Sequence, residues 1–382
     1  MLIDPRRIAI VFCAVCAFLH LYSPQAVLPL MAQEFGVGAA GASLIITAST
    51  LAVAATAPFS GAISDLLGRK RVIVAAMVLL LVPGVMLPLS GSLNELIFWR
   101  FVQGLLLPPI FAVAIAYIGD EWPPQQATGV IGSYTSASAV AGFLGRFIPG
   151  VLLAYVGWRG GFMALAVLTA VCLIVVAALL PRETKFVRAS NLAASLRQML
   201  AHLRNPKLLA TYAVGFGVLF NFIAVFTYMS FHLAGPPFFQ SAAFIGSIFV
   251  VYLAGAAAAT LTGRMIAAIG RRTFVLCILA VWACGILLML IPSVAVIVGA
   301  LAIASICGVL TQAASTSYVA ITAQGGTSSA VGLYVTSFYV GGTVGGWLAG
   351  LTYEGGGWPA TLALVLGMLA IMASIVATTW KN

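Results

Sequence analysis

The sequence predicts an all-α integral membrane protein: about twelve transmembrane helices in two six-helix, pseudo-symmetric bundles. Three observations carry that expectation. Apolar runs of membrane-crossing length follow one another along nearly the whole chain. The few charges fall between those runs, almost all on one face of the resulting topology. Glycines and aromatics of the first half recur about 200 residues later.

Composition sets the class. Of 382 residues, 62% are hydrophobic and only 7% are Asp, Glu, Lys or Arg. A soluble domain carries about 25% charged residues to face water, so most of this exterior must face lipid. The net charge of +10 raises nucleic acid as a partner. The basic residues, however, form short clusters between apolar runs, with no stripe and no groove-reading motif, which argues against it. The six cysteines, Cys13, Cys16, Cys172, Cys277, Cys284 and Cys307, all lie inside apolar segments. Cys13-Ala-Val-Cys16 has redox-motif spacing but sits mid-helix, so these read as small packing residues and no disulfide framework is implied.

About 20 apolar residues cross the hydrocarbon. The runs that qualify are 8–31, 42–64, 72–91, 95–118, 128–155, 160–181, 207–233, 241–263, 273–291, 294–316, 327–353 and 357–380. The first follows Arg6 and Arg7 as a signal peptide would. It continues past Leu21 to Leu30 without a small-residue cleavage site, so an uncleaved first span is expected. The short connections make neighbouring spans antiparallel. With a cytoplasmic N-terminus, that face holds Arg6, Arg7, Arg69, Lys70, Arg71, Arg182, Lys185, Arg188, Arg197, Arg204, Lys207, Arg264, Arg271, Arg272 and Lys381, and the other only Arg159. A miscounted span would scatter these over both faces, so an even count with both termini cytoplasmic follows, and a bacterial inner membrane is the expected location.

The longest polar stretch divides the chain into bundle 1–181, linker 182–206 and bundle 207–382. In the linker Leu192, Leu196, Met199, Leu200 and Leu203 share a helical face, with Arg197, Gln198 and Arg204 elsewhere. That pattern predicts an amphipathic helix on the cytoplasmic leaflet. The halves repeat. At an offset of 200, Gly132, Tyr134, Val140, Gly142, Gly145, Gly150, Gly157 and Trp158 recur as Gly332, Tyr334, Val340, Gly342, Gly345, Gly350, Gly357 and Trp358. At 202, Gly61, Gly68 and Arg69 recur as Gly263, Gly270 and Arg271. Two parallel repeats place a solute site between the halves, near the midplane.

Between spans 2 and 3 stands Gly61-Ala-Ile-Ser-Asp65-Leu-Leu-Gly68-Arg69-Lys70-Arg71. Gly61 permits close helix approach, Gly68 a tight turn, and Asp65 can bind a helix N-terminus or a basic side chain. The motif resembles the 2–3 loop of the major facilitator superfamily: glycine, three residues, aspartate, two residues, glycine, basic pair. The resemblance covers essentially the whole chain and implies that this loop latches the two halves on the cytoplasmic side. The second copy, Gly263 to Arg272, has Ala267 in place of the aspartate, so the latch is expected to be asymmetric. Arg100-Phe-Val-Gln103-Gly104 in span 4 is similar to the family's second motif and implies a part in proton or substrate coupling. A position near the outer end also leaves Arg100 free to snorkel. Gly142-Phe-Leu-Gly145-Arg146-Phe-Ile-Pro149-Gly150 in span 5 resembles the glycine-proline motif of efflux-type members, but Arg146 replaces its proline. A fixed positive charge there favours an anionic or strongly electronegative solute, and packing against backbone carbonyls is the alternative.

The acids Asp4, Glu34, Asp65, Glu95, Asp120, Glu121, Glu183 and Glu354 all fall at span ends or in loops, so no carboxylate sits mid-membrane. His20 is the mid-span group able to titrate near neutral pH, either as a proton carrier or as a packing residue. Glu34 is the fallback proton carrier. Gln25, Asn221, Tyr228, Tyr252, Gln312, Tyr334 and Tyr339 are further cavity candidates. Gly342, Gly346 and Gly350 form a helix-packing face.

The expected function is therefore secondary transport of a small organic solute by alternating access, as proton-coupled efflux. The alternative is uptake or facilitated passage of an organic anion bound through Arg146 and Arg100. Partners are the solute, protons and the bilayer, and the family resemblance implies a monomer. No cofactor or metal is expected: His20, His202 and His232 are far apart and form no ligand motif. Clustered catalytic groups, a selectivity-filter loop and a phosphate-binding glycine loop are missing too, which argues against an enzyme, a channel and an ATP-driven pump.

Overall fold

The computed structural model describes residues 4–184, 199–323 and 327–380. Among them the regular elements are helical and no strand occurs. Span 1 is α1 (Pro5–Leu21), a 3-10 turn (Ser23–Ala26) and α2 (Leu28–Glu34); spans 2 and 3 are α3 (Ala39–Leu67) and α4 (Arg69–Leu89). Span 4 is α5 (Leu93–Leu106) with α6 (Pro108–Glu121), and spans 5 and 6 run together as α7 (Pro124–Leu179). Span 7 is α8 (Pro206–Ala234), and span 8 is the series α9 (Ala242–Ile248), α10 (Val251–Ala259) and α11 (Thr262–Ile269). Spans 9 and 10 are α12 (Arg271–Leu288) and α13 (Val294–Thr322), and spans 11 and 12 share α14 (Thr327–Thr379).

Twelve spans follow from these elements. Among the described residues, nine helical stretches are long and apolar enough to cross a membrane. Two of them, of 55 and 51 residues, are roughly twice the needed length. Each breaks at a glycine with positive φ: Gly157 at 69° and Gly357 at 66°. Gly161 then lies against Pro149, so the first stretch doubles back into two spans, and the second, broken at the repeat-related glycine and of like length, divides in the same way. Span 1, divided at Ser23–Ala26, completes the count.

The repeat seen in sequence is a repeat of conformation. Gly68 and Gly270 cap the starts of α4 and α12 at φ of 97° and 78°, a region only glycine enters without strain. Trp158 and Trp358, which follow the two breaking glycines, are both buried. Gly61 departs from expectation: nothing lies within 4 Å of where its side chain would begin, so it marks no close helix approach. At the N-terminus Asp4 caps α1, and its bonds to the Arg6 guanidinium and amide hold that carboxyl below the usual range.

Proximity along the fold separates two compact units. The first comprises Met1–Val27, Ala48–Leu192 and Ala242–Ser247; the second comprises Leu28–Thr47, Ala193–Ser241 and Ile248–Asn382. In the first, α1 buries Ala9, Ile10, Cys13, Cys16 and Ala17. In the second, α8 buries residues around its whole circumference and packs along α14. Leu79, Val82, Val167, Ile174, Leu287 and Ile371 stay exposed, as side chains facing lipid should. The amphipathic helix expected over Leu192, Leu196, Arg197 and Gln198 lies outside the described residues, as do Lys185, Arg188 and Lys381.

Candidate functional site

In the first unit, span 1 breaks just where a proline forbids the next helical bond. Pro24 has no amide hydrogen, so the His20 carbonyl loses its partner four residues on. The Gln25 amide turns to Tyr22 O instead (3.1 Å), which frees the Leu21 carbonyl as well. The His20 carbonyl keeps only the Tyr22 amide from the backbone, and carbonyls left short of donors in an apolar setting are costly. Arg100, fully buried, donates to both carbonyls: Nη1 to His20 O at 2.8 Å and Nη2 to Leu21 O at 2.7 Å. Ser23 Oγ adds a further bond, to His20 O at 3.1 Å. Arg100 therefore does not snorkel. It staples the broken end of α1.

The same guanidinium orders a chain of hydrogen bonds. Arginine only donates, so the Gln103 oxygen must face Arg100 Nη1, leaving Gln103 Nε2 to donate to His20 Nδ1 at 2.9 Å. His20 Nδ1 is thereby an acceptor, and Nε2 carries the hydrogen that goes to Thr169 Oγ1 at 2.5 Å. Thr169 in turn donates to Leu165 O at 2.8 Å. Every direction follows from Arg100, and His20 is the neutral imidazole throughout.

Arg146 meets the other side of the break. Its Nε donates to Gln25 Oε1 at 2.6 Å, Nη1 reaches the Gly142 carbonyl, and its guanidinium lies 4.9 Å from the Tyr22 ring centroid. Gln25 and Gly142 thus offer neutral oxygens to the guanidinium, and Tyr22 an aromatic face. Glycines bring the backbones this close. A methyl group on Gly145 would run into the Leu19 carbonyl, and one on Gly150 would lie 2.6 Å from Ala242 O. Gly246 in α9 lies against Arg146 O in the same way, at 3.1 Å. Sequence reading thus placed His20, Gln25, Arg100, Gln103 and Arg146 separately, and the fold gathers all five around residues 20–25.

The loop between α3 and α4 forms a second cluster. Arg69 pairs with Asp65 at 2.6 Å and with Asp120 at 3.1 Å, and bonds Ser64 Oγ. Lys70 N donates to Glu183 Oε2 at 3.2 Å, and its ammonium to Ala177 O at 3.2 Å. In the second copy Ala267 stands in place of Asp65, and among the described residues no carboxylate forms an ion pair with Arg271. Arg271 bonds Ala314 O at 2.6 Å and Ser317 Oγ at 2.5 Å, with the Tyr318 ring 5.4 Å away. The asymmetry is thus one of partners: two carboxylates meet Arg69, and neutral oxygens meet Arg271.

A sequence model of the Major Facilitator Superfamily matches residues 10–251 and again residues 236–381. The chain belongs to the major facilitator superfamily. It is 28% identical over 375 residues to the inner membrane transport protein YnfM of Escherichia coli (strain K12), covering 97% of this chain and 89% of that protein. It is 27% identical over 355 residues to the uncharacterized MFS-type transporter YybF of Bacillus subtilis (strain 168), covering 93% and 88%. The human organic anion transporter MFSD10 (TETRAN) shares the fold, with a TM-score of 0.73 at 18% identity over 98% of this chain and all of that one. As a superfamily member the protein is a multi-pass secondary transporter of small solutes and not an enzyme.

Within this superfamily member the remaining candidates lie in the second unit. Tyr228 donates to Gly346 O at 2.7 Å, and Tyr334 is buried among Leu208, Tyr212, Val319 and Ala330. The Tyr252 ring sits 4.7 Å from Phe226 in a cluster with Phe222 and Phe249. Tyr339 packs edge-on against Phe338, and Gln312 O accepts from Thr316. Asn221 is fully buried; Nδ2 approaches the Met372 sulfur at 3.5 Å, and Oδ1 has no hydrogen-bond partner among the described residues. Sequence reading missed Thr169, Tyr22 and Asp120. Ser23-Pro24 in mid-run was the available signal for the break, and nothing local marked Thr169.

Proposed function

We propose that this transporter carries a small organic anion, or a solute with a strongly electronegative group, by alternating access, and that Arg146 is its recognition group. One observation carries the reading: a guanidinium buried at the break of a transmembrane helix, where it meets Gln25, Gly142 and Tyr22. Half-buried backbone and a fixed charge at a helix break form the usual construction of a transporter solute site. Arg100 serves the site indirectly, by holding His20 and Leu21. The halves that move are residues 1–181 and 207–382, joined by the cytoplasmic linker, with both termini in the cytosol of a bacterial cell.

Proton-coupled efflux is the second reading, favoured by the span 5 glycine ladder that resembles the efflux motif. For His20 to carry the proton, protonation at Nδ1 would have to displace the Gln103 amide that donates to it.

The test is counterflow into proteoliposomes with matched organic anions, neutral molecules and cations. Anions should exchange, and Arg146→Lys, which keeps the charge but loses the planar fork, should raise the anion KM about tenfold with kcat little changed. Transport confined to cations, or an unchanged KM in the variant, would overturn the anion reading. Dependence of flux on an imposed pH gradient decides for proton coupling, and independence decides against it.

A further inference from the structure

The loop between α3 and α4, the expected cytoplasmic latch, ties Arg69 to Asp65 and Asp120. The opposite face carries a different device. In the second unit the first turn of α3 rests against span 11. A methyl group on Gly350 would lie 2.7 Å from Ala40 Cα, and one on Gly346 would lie 2.6 Å from Thr47 Cγ2. The four-residue glycine spacing of span 11 is thus a seat for residues 40–47. In the first unit the same seat recurs: Gly150 of span 5 receives Ala242, the first residue of α9. Gly150 and Gly350 are related by the 200-residue repeat, Ala40 and Ala242 by the 202-residue repeat.

The two seats differ in one residue. Ala40 is the second residue of α3, and its amide is one of the four that a helix start leaves without an internal partner. Glu354 Oε1 accepts from it at 2.9 Å, across 314 positions of sequence. The carboxylate also meets the positive end of the α3 dipole. Gly38 leaves it room, since a methyl group there would lie 2.9 Å from the Glu354 carboxyl carbon. At the position related to Glu354 by the repeat stands Ala154, which has no acceptor to offer.

We infer that Glu354 is a latch on the face opposite the basic clusters, fastening the first turn of span 2 to the end of span 11 and releasing it when that face opens. The inference rests on alternating access as the transport mode, but not on the solute. Both latches are one-sided: the aspartates serve only the first repeat, and Glu354 only the second.

The experiment reads access without transport. A Thr47→Cys variant, with the exposed Cys277 and Cys284 changed to serine, is labelled by a membrane-impermeant maleimide in right-side-out and inside-out vesicles. Thr47 is 4% exposed, so labelling should be slow. Glu354→Ala should raise the rate about fivefold, and only from the face opposite the basic clusters, as expected for a population shift from one lost cap. Glu354→Gln keeps an oxygen acceptor without the charge and should give about a twofold rise. Wild-type rates in both variants would overturn the latch. If Glu354→Ala does not fold, the glutamine variant decides alone. Equal labelling from both faces in every variant would remove alternating access together with the latch, whereas a wrong solute class would change none of these rates.

Discussion

Replacing Gly145 by alanine tests whether the close approach of α7 to α1 holds the break in span 1. The added methyl would lie 2.8 Å from the Leu19 carbonyl carbon and 3.0 Å from Leu19 Cα. Carbon atoms rest at about 3.5–4.0 Å, and the Leu19 oxygen is nearer still, so the helices must part by at least roughly 0.7 Å. Both obstacles are backbone and cannot swing aside. Leu19 is next to His20 and Leu21, whose carbonyls sit 2.8 and 2.7 Å from Arg100. A shift of that size carries both bonds toward the edge of hydrogen-bonding range, about 3.2 Å. Overpacking costs roughly 1–3 kcal/mol, and weakening two buried bonds adds about 1–2 kcal/mol. The helix propensity gained from alanine returns only about 1 kcal/mol. The net expectation is a loss of about 1–4 kcal/mol. Gly132→Ala, in the same helix with nothing within 4 Å, should be neutral or slightly stabilising. Thermal unfolding in detergent, followed by the reactivity of the buried Cys13 and Cys16 thiols, measures both. A Gly145→Ala midpoint equal to that of Gly132→Ala would refute the reasoning.

Arg100→Lys keeps the charge but offers one donor centre where two carbonyls need separate ones, so the unfolding midpoint should fall by the equivalent of about 1–3 kcal/mol. Unchanged stability with lost transport would instead make Arg100 a coupling residue. Asp65→Asn removes one of the two carboxylates on Arg69 and should slow turnover in proteoliposomes while leaving membrane insertion intact. Wild-type turnover would separate that ion pair from gating.

Much of the fold was legible because a bilayer imposes a length and a polarity on each crossing. The second copies of Gly157-Trp158 and Gly68-Arg69 were visible for a related reason: a positive φ admits little except glycine, so conformation leaves a mark in sequence. The site was only half legible. His20, Gln25, Arg100, Gln103 and Arg146 drew notice as polar residues in apolar runs. Their shared task did not, because it depends on the His20 and Leu21 carbonyls, which any residue could carry. Gly61 misled for the converse reason, since a glycine in a helix can also face open space.

The sequence alone determined that this chain crosses a membrane, how often, and that its halves are copies. Those properties belong to single segments, where transfer from water to lipid is decided run by run. Only the tertiary structure decided that Arg100 staples a broken helix, that Thr169 completes its relay, and that Glu354 reaches the start of α3. Such pairings are non-local: a buried donor takes whichever orphaned acceptor the packing brings within about 3 Å, and nothing in the intervening residues records the choice.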